Sequence, residues 1–215
     1  MEARAARALA RGGGRVYRTG YGAERARAAG EALVAMGVHR ILVWGMAGGL
    51  NSGLASGAVL LPAEVRDEAG TAWRMTSHFH AVLLRALSGV TRISTAPLVT
   101  TAHPVATPAD KAALAHRSGA AAVDMEAAVV ASIAAAAGVD CAVLRVVADT
   151  AHDTLPGVVL AARSQRFLAA EVALRLLFRP RDLGSVRRLA RAAGVACETL
   201  TACAQALADT KTLQK

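Results

Sequence analysis

Apolar residues recur along the chain in two alternating patterns, one with helical spacing and one as short continuous runs. The helical spacing predicts helices over residues 23–36, 77–87 and 125–137, and a further helix that opens at Thr107. The continuous runs predict strands over residues 40–44, 58–65, 92–101, 120–123 and 141–148. Beyond Leu155 the strand pattern ends, and helices are predicted over residues 158–177, 183–193 and 196–208.

Residues that start and stop helices lie at the ends of these stretches. Thr107, Pro108 and Asp110 supply an N-cap, a first-turn proline and a first-turn acid. Gly37 and Gly138 each follow a predicted helix, where the left-handed backbone that glycine tolerates suits a C-terminal cap. These boundaries support the helices predicted from the apolar spacing.

The order of the elements indicates the fold class. Strands that alternate with helices need crossover connections, which predicts an α/β fold with a mixed, mainly parallel sheet flanked by helices. No linker rich in Pro, Gly or Ser and no internal repeat divides the chain. We expect one α/β domain over residues 1–178, with a basic helical tail over residues 179–215 that packs on it or extends from it.

Composition and charge narrow the function classes. The chain has 215 residues, of which 54% are apolar and 19% charged, so it can bury enough surface to fold. Its formal net charge of +9 favours anionic partners, but an aromatic content of 3% argues against binding nucleic acid by base stacking. Three cysteines without CxxC spacing, and no visible signal peptide, predict a reduced cytoplasmic protein without a structural metal.

A glycine-rich stretch directly follows the first predicted strand. Residues 45–50 read Gly-Met-Ala-Gly-Gly-Leu, and glycines there let backbone N–H groups approach a ligand at the carboxyl edge of a parallel sheet. The stretch is not a GxGxxG motif, and a simple turn explains it equally well.

Two carboxylates flank a methionine at the junction between a predicted strand and the helix after it. Asp124 and Glu126 lie on either side of Met125 in otherwise apolar sequence. One interpretation is a binding site for a polar ligand. The other is purely structural: Asp124 caps the helix, and Glu126 stabilises the positive end of the helix dipole.

Arg145 and Asp149 bracket the end of the last predicted strand. Four extended residues span roughly 13 Å, too far for an easy ion pair, so Asp149 is expected at the carboxyl edge where α/β sheets bind ligands. The histidines lack metal-ligand spacing and are interpreted as surface or core residues. Of these, His152 lies nearest in sequence to the predicted site.

Taken together, four blocks resemble the nucleoside phosphorylase and nucleosidase superfamily. They are residues 45–50, residues 57–62, the VDMEA block at 123–127 and the LRVVAD block at 144–149. The Ala/Arg-rich sequence and basic tail look most like the hopanoid-associated phosphorylases, which release adenine from adenosylhopane. The resemblance implies an enzyme of nucleoside phosphorylase-like fold that cleaves the N-glycosidic bond of a purine nucleoside.

The resemblance also implies roles for individual residues. Asp149 matches the general acid that protonates the departing purine at N7, Glu126 matches the carboxylate that binds the ribose hydroxyls, and Met125 matches the residue beside the sugar. The backbone of Met46, Ala47 and Gly48 would line the sugar and base. Because an ordinary Asp has a pKa near 3.9, protonated Asp149 at pH 7 costs about 4 kcal/mol unless burial raises its pKa.

The nucleophile is not settled by the resemblance. Nucleosidases of the superfamily activate water with a Glu after the first strand, whereas phosphorylases bind inorganic phosphate. Glu2 matches the water-activating carboxylate, and the first strand itself is missing from the sequence, which suggests a truncated chain or a misplaced start. No cofactor is expected, with phosphate as the alternative co-substrate. Ala148, where methylthioadenosine nucleosidases carry Ser, disfavours that substrate.

A lipid-linked nucleoside substrate implies contact with a membrane. The tail region holds eight arginines, which favour the inner face of an anionic membrane: Arg163, Arg166, Arg175, Arg179, Arg181, Arg187, Arg188 and Arg191. A solvated helix face is the simpler interpretation of that charge. The resemblance further implies a homo-oligomer. Two other functions stay open, an enzyme for small soluble nucleosides and an inactive nucleoside-binding, membrane-peripheral module.

Overall fold

The computed structural model describes residues 2–11, 13–20, 22–155 and 183–209. The helices within these residues are α1 (Glu2–Arg11), α2 (Ala23–Ala35), α3 (His78–Leu87), α4 (Pro108–Ser118), α5 (Ala127–Ala136) and α6 (Leu183–Asp209). The strands are β1 (Arg40–Gly49), β2 (Val59–Leu60), β3 (Glu64–Asp67), β4 (Ala72–Arg74), β5 (Ile93–Ser94), β6 (Leu98–Thr100), β7 (Ala122–Asp124) and β8 (Asp140–Asp149).

The eight strands form one sheet in the order β4-β3-β6-β7-β1-β8-β2-β5. Four of the seven neighbouring pairs are parallel and three are antiparallel, so the sheet is mixed. The α/β architecture expected from the sequence is confirmed: a single α/β domain whose sheet is flanked by helices. The division between residues 178 and 179 stays a prediction.

Strands β1 and β8 form the long central ladder of the sheet. They pair in parallel from Arg40 opposite Asp140 to Ala47 opposite Val147, and a bulge then places Gly48 opposite Asp149. On its other edge, β1 pairs with β7 only at Gly48 and Gly49. Within the described residues, the first eight residues of β1 therefore have a strand partner on one edge only.

The glycine stretch is not the loop or turn that the sequence predicted, because β1 continues through it to Gly49. The reason lies on the neighbouring strand. A Cβ atom at Gly45 would overlap Nη1 of Arg145, so the absence of a side chain gives the guanidinium room over the strand. A glycine run interrupts a strand only where the backbone turns, and here the backbone stays extended.

Helix termini agree with the local signals. Thr107 caps α4, with its Oγ1 accepting a hydrogen bond from the Asp110 backbone N–H at 3.1 Å, and Pro108 follows at the first position. Gly119, Gly37 and Gly138 end α4, α2 and α5 with positive φ angles of 65°, 71° and 67°. The predicted start of α4 and the predicted ends of α2 and α5 are confirmed.

The core lies in two layers on either side of the sheet. One layer joins α1, α3 and α6 to the β8 residues Ala142, Leu144 and Val146. The other layer joins α2 and α5 to β8 residues whose side chains lie on the opposite face of the sheet, such as Val143 and Val147. Both faces of the central strands are thereby covered, as expected of a doubly flanked sheet.

Helix α6 is a single helix of 27 residues, whereas the sequence predicted two with a break near residue 194. Its buried side, which includes Ala196, Leu200 and Leu207, belongs to the same core layer as α1. Packing along one face outweighs the low helix propensity of Gly194, which lies in open space. The helix predicted over residues 158–177 lies outside the described residues.

The three cysteines form no disulfide, and all three are buried. Among the helices that the structure describes, none combines the length and the apolar character needed to cross a lipid bilayer.

Candidate functional site

The ends of three strands meet beside the carboxyl-terminal half of β1. Strand β8 runs parallel to β1, while β7 crosses it antiparallel with Val123 opposite Gly48. The strands were expected to be parallel here, yet β7 is antiparallel to β1 and pairs with it only at Gly48 and Gly49, while its other edge pairs in parallel with β6. Asp124 and Asp149 are therefore both brought to this end of the sheet, as expected.

A buried cluster of one arginine and two carboxylates occupies the first part of this region. Arg145 is 4% exposed and donates through Nε to Oδ2 of Asp124 at 2.9 Å, with Nη2 in contact with the same oxygen. Nη2 also reaches Oε2 of Glu126 at 3.5 Å. A buried guanidinium is tolerated because both carboxylates compensate its charge. Arg145 thus pairs with these acids and not with Asp149.

Asp124 has a structural role that the sequence analysis offered as one of two interpretations. Its Oδ2 accepts a hydrogen bond from the Ala127 backbone N–H at 3.0 Å, so the side chain caps α5. Its Oδ1 accepts from Thr100 Oγ1 at 2.6 Å, and that hydroxyl in turn accepts from the Ala128 N–H at 2.9 Å. Every oxygen of this buried carboxylate is engaged in holding β6, β7 and α5 together.

Glu126 does not cap the helix, although it occupies the N-cap position of α5. Its side chain accepts instead from the Gly22 backbone N–H, 3.0 Å from Oε1, and contacts Arg145 through Oε2. Capping therefore explains Asp124 but leaves the carboxylate of Glu126, which is only partly buried, without a role in the helix. The two acids of the motif have separate functions.

Asp149 pairs with a residue that the sequence analysis missed. Lys111, on α4, is fully buried and places Nζ 2.5 Å from Oδ2 of Asp149. The same Nζ donates to the backbone oxygens of Thr150 at 2.6 Å and Asp153 at 3.0 Å. A sequence signal existed, because Lys111 lies three positions before the apolar Leu114 on the inward face of α4.

Opposing effects act on the pKa of Asp149. Burial, which leaves the residue 8% exposed, is the largest effect and raises the pKa of the carboxyl above its ordinary value. The hydrogen bond and positive charge of Lys111 lower it, and the charge of Asp153 raises it again. The balance is a raised pKa, in the direction that the general-acid hypothesis needs.

The loop after β8 is held by a short turn. Asp153 Oδ2 accepts from the Thr150 backbone N–H at 2.8 Å and from its hydroxyl at 2.7 Å. Partial burial would by itself raise the pKa of Asp153, but these hydrogen bonds and the charges of Lys111 and Arg188 lower it. His152 is exposed in this loop, and His80 is a core residue whose Nε2 lies 3.0 Å from the Leu61 oxygen.

A cavity of about 500 Å³ opens beside β1. Glu126, Arg145 and Met46 line it, together with apolar residues of α1, α2, α6 and β1 and the segment 13–20. Its apolar lining includes Ala5, Leu9, Ala26, Leu33, Ile41, Val43, Trp44, Phe79, Val130 and Leu200. Cavities of this size and character accommodate small organic ligands.

The predicted site residues divide between this cavity and the adjoining strand ends. Met46 and Glu126 line the cavity, whereas Ala47, Gly48, Met125 and Asp149 are not among its lining residues. Gly48 packs against Asp149, since a Cβ at this glycine would lie 3.3 Å from Oδ2.

The register places Arg145 and Asp149 at two different positions along β1. Arg145, the partner of Glu126, lies opposite Gly45, and Asp149 lies opposite Gly48. Three residues of extended strand separate these positions by about 10 Å. A sugar and its attached base can extend across a distance of this order.

Glu2 is the first residue of α1. Further along that helix, Ala5 and Leu9 are buried against α6 and line the cavity. The proposed role of Glu2 stays a prediction. Within the residues that the structure describes, no group of three or more His, Cys, Asp and Glu side chains could hold a metal ion.

Comparison with known proteins identifies the family. The model of the phosphorylase superfamily matches residues 9–179. The chain belongs to the phosphorylase superfamily. The resemblance seen in the sequence is thereby confirmed at this level, as is the prediction of an enzyme, while the narrower likeness to hopanoid-associated phosphorylases stays a prediction.

Solved structures of similar fold agree with the superfamily assignment. A futalosine hydrolase of Helicobacter pylori has 17% identity, with 86% of this chain and 76% of that chain covered and a TM-score of 0.62. A putative methylthioadenosine nucleosidase of Weissella paramesenteroides has 18% identity, with 92% and 79% covered and a TM-score of 0.65.

A third similar structure is an adenine complex. It is the 5'-methylthioadenosine/S-adenosylhomocysteine nucleosidase of Colwellia psychrerythraea, with 22% identity, 63% and 64% of the chains covered and a TM-score of 0.57. At these identities the likeness concerns the fold. No curated protein sequence matches the chain significantly.

Proposed function

We propose that this protein cleaves the N-glycosidic bond of a purine nucleoside and releases adenine. The observation that carries the proposal is the pair of acids beside β1: Glu126, which lines the cavity and caps no helix, and Asp149, whose pKa burial raises. The superfamily assignment and the nucleosidases of similar fold support this class of reaction.

Asp149 is the proposed general acid. When the bond between the sugar and the base breaks, its electron pair moves onto the purine, and a proton delivered at N7 neutralises the developing negative charge. A carboxyl with an ordinary pKa near 3.9 would cost about 4 kcal/mol to protonate at pH 7. Burial of Asp149 reduces this cost by raising its pKa.

Glu126 is the proposed ligand of the ribose hydroxyls. A carboxylate accepts hydrogen bonds from two neighbouring hydroxyls, and such bonds strengthen as the sugar gains positive charge in the transition state. Its contacts with Gly22 and Arg145 orient the group at the cavity wall. Met125 and the strand segment of Met46, Ala47 and Gly48 would border the sugar and base.

The nucleophile is proposed to be phosphate or water. Phosphate is supported by Arg15, Arg18 and Arg40, which line the cavity together with glycine backbone of the segment 13–20. Water activation would fall to Glu2, at the start of a helix whose later residues reach the same cavity. The two routes give different sugar products, a sugar phosphate or a free sugar.

The proposed substrate is adenosylhopane, used in hopanoid biosynthesis. The apolar walls of the cavity, formed by residues such as Leu9, Phe79 and Leu200, suit a substrate with a large apolar group attached to the ribose. A purine nucleoside without that group is the second candidate, supported by the methylthioadenosine nucleosidases of similar fold.

The test is incubation of the purified protein with adenosylhopane and, separately, with adenosine and methylthioadenosine, each with and without phosphate. Mass analysis then identifies the base and the sugar product. Adenine released faster from adenosylhopane supports the full proposal, and faster release from the small nucleosides supports the second candidate. Binding without any adenine release would contradict both, and would favour an inactive nucleoside-binding module.

A further inference from the structure

The environment of Lys111 differs from that of the other basic residues that the structure describes. Its side chain is 1% exposed, yet Nζ has three oxygen acceptors: Asp149 Oδ2 at 2.5 Å, the Thr150 oxygen at 2.6 Å and the Asp153 oxygen at 3.0 Å. An ammonium group has three N–H donors, whereas a neutral amine has two. Three acceptors therefore match the three donors of the charged form.

The residue type fits this task. The chain has 25 basic residues, of which only three are lysines, and Lys111 is the one that the described residues contain. A guanidinium is planar and presents its donors in a fork, whereas an ammonium directs three donors tetrahedrally from one atom. The three acceptors around Nζ match the ammonium, in a protein that otherwise uses arginine almost throughout.

The contact of Lys111 engages Oδ2 of Asp149 and not Oδ1. Lys111 binds Oδ2 from the α4 side, and Gly48 of β1 lies close against the carboxyl group, since a Cβ there would be 3.3 Å from Oδ2 and 3.5 Å from Oδ1. The same ammonium ties the carboxyl to the Thr150 and Asp153 carbonyls of the following loop. Asp149 is thus held from a helix, a strand and a loop.

We infer that Lys111 is the positioning residue of Asp149, which holds Oδ2 in place so that Oδ1 carries the proton delivered to the purine. The inference rests on the proposed function. In the step, the bond between C1′ of the sugar and the base breaks and its electron pair passes to the base, while an oxygen of water or phosphate bonds to C1′ and its proton passes to solvent. N7 takes the proton from Oδ1, and the carboxylate left behind stays paired with Lys111. After product release, water returns a proton to Asp149, while Lys111 keeps its three protons throughout.

Removal of the positive charge should change the pH dependence of the reaction. The charged groups around Asp149 are Lys111 of α4 and Asp153 of the loop, and Arg188 of α6 acts on Asp153. Catalysis by a general acid falls as the pH rises through the pKa of the acid. Lys111 lowers the pKa of Asp149, so its loss should shift this alkaline limb to higher pH.

The experiment compares Lys111→Met with the wild type in two measurements. The first is the pH profile of kcat for adenine release from adenosylhopane. The second is a titration of the Asp149 carboxyl carbon by NMR without substrate, assigned with Asp149→Asn. An opposite charge at this distance shifts a carboxyl pKa by about 1–3 units. Both the pH at which kcat falls and the midpoint of the Asp149 titration should therefore rise by that amount in Lys111→Met.

Thr107→Ala is the matched control. It removes the N-cap of the same helix without touching Asp149, so it should lower the stability of the protein and leave the limb and midpoint unchanged. A Lys111→Met protein with an unchanged Asp149 midpoint would overturn the inference. If Lys111→Met raises the Asp149 midpoint but the wild-type protein never releases adenine, the coupling between Lys111 and Asp149 stands and the proposed function is contradicted.

The wild-type protein provides a further measurement if Lys111→Met does not fold. An ammonium with three buried acceptors exchanges its protons slowly, so its Nζ should give a resolved NMR signal near neutral pH that Asp149→Asn perturbs. A neutral or rapidly exchanging amine at Lys111 would overturn the inference without any variant at that position.

Discussion

At the scale of single residues, the site depends on charges that are buried in pairs. Arg145 pairs with Asp124 and also contacts Glu126 beside one part of β1, and Lys111 pairs with Asp149 beside another part. A buried charge without its partner is strongly unfavourable, so removal of either partner alone should destabilise the protein. Of these acids, the two proposed to act on the substrate are Glu126, beside the cavity, and Asp149, at the end of β8.

Replacement of Asp149 by Asn should impair catalysis more than binding. The amide keeps the size of the carboxyl but has no acidic proton to deliver, so kcat should fall about 10²–10⁴-fold. The dissociation constant for an unreactive nucleoside, measured by calorimetry, should stay within a few-fold of wild type. An undiminished kcat would remove Asp149 from the mechanism.

Replacement of Glu126 by Gln should give a different kinetic pattern. Loss of a charged hydrogen-bond acceptor for the ribose costs about 1.5–3 kcal/mol, so kcat/KM should fall roughly tenfold to a hundredfold. A 2′-deoxynucleoside, which lacks one hydroxyl, should lose less on this substitution than its ribonucleoside. Equal losses for both sugars would argue against contact between Glu126 and that hydroxyl.

Local signals gave the start of α4 and the ends of α2 and α5, but not the partners of buried charges. Thr107, Gly37 and Asp149 were readable because a cap, a left-handed glycine and a strand end are local features. Lys111 was missed because its acceptors lie 38 or more residues away in sequence. Pairing across such a separation depends on tertiary packing, which spacing along one chain does not encode.

At the scale of elements, β1 provides the frame on which the site is built. The sequence predicted that it ends at residue 44, but Arg145 on β8 occupies the space above Gly45 and the strand continues to Gly49. Whether a glycine run becomes a turn or a strand was therefore decided by a residue of another element. The break predicted near residue 194 was wrong for a similar reason, because core packing along one face keeps α6 helical through Gly194.

Gly45→Ala should destabilise the protein because its methyl group would overlap the Arg145 guanidinium. Crowding of a well-packed core costs about 1–3 kcal/mol, which denaturant unfolding measures directly. Gly89→Ala is the control, since an added Cβ there meets no atom within 4 Å. Equal free energies of unfolding for the two variants would contradict the packing assigned to Gly45.

At the scale of the whole molecule, the net charge of +9 and the apolar cavity support the proposal of a lipid-linked nucleoside substrate that is taken at an anionic surface. In α6, Arg187, Arg188 and Arg191 are exposed. Basic residues near such a surface contribute about 1 kcal/mol each to binding. This attraction decays over the Debye length, which shortens as the salt concentration rises.

The protein should pellet with anionic liposomes at low salt and be released at high salt. Replacement of Arg187, Arg188 and Arg191 by Ala should weaken the binding more than replacement of Arg27, Arg74 and Arg85, which removes the same charge elsewhere. Absence of pelleting at low salt would contradict membrane attachment and leave the catalytic proposal intact. Equal loss in both triple variants would show that net charge, not α6, is responsible.

The most direct test of the central claim is a crystal structure of Asp149→Asn with an unreacted purine nucleoside bound. Our account predicts that the base places N7 beside residue 149 and that the ribose hydroxyls contact Glu126, with the nucleoside spanning the Gly45–Gly48 part of β1. A nucleoside bound elsewhere, or one that contacts only one of the two residues, would contradict the account.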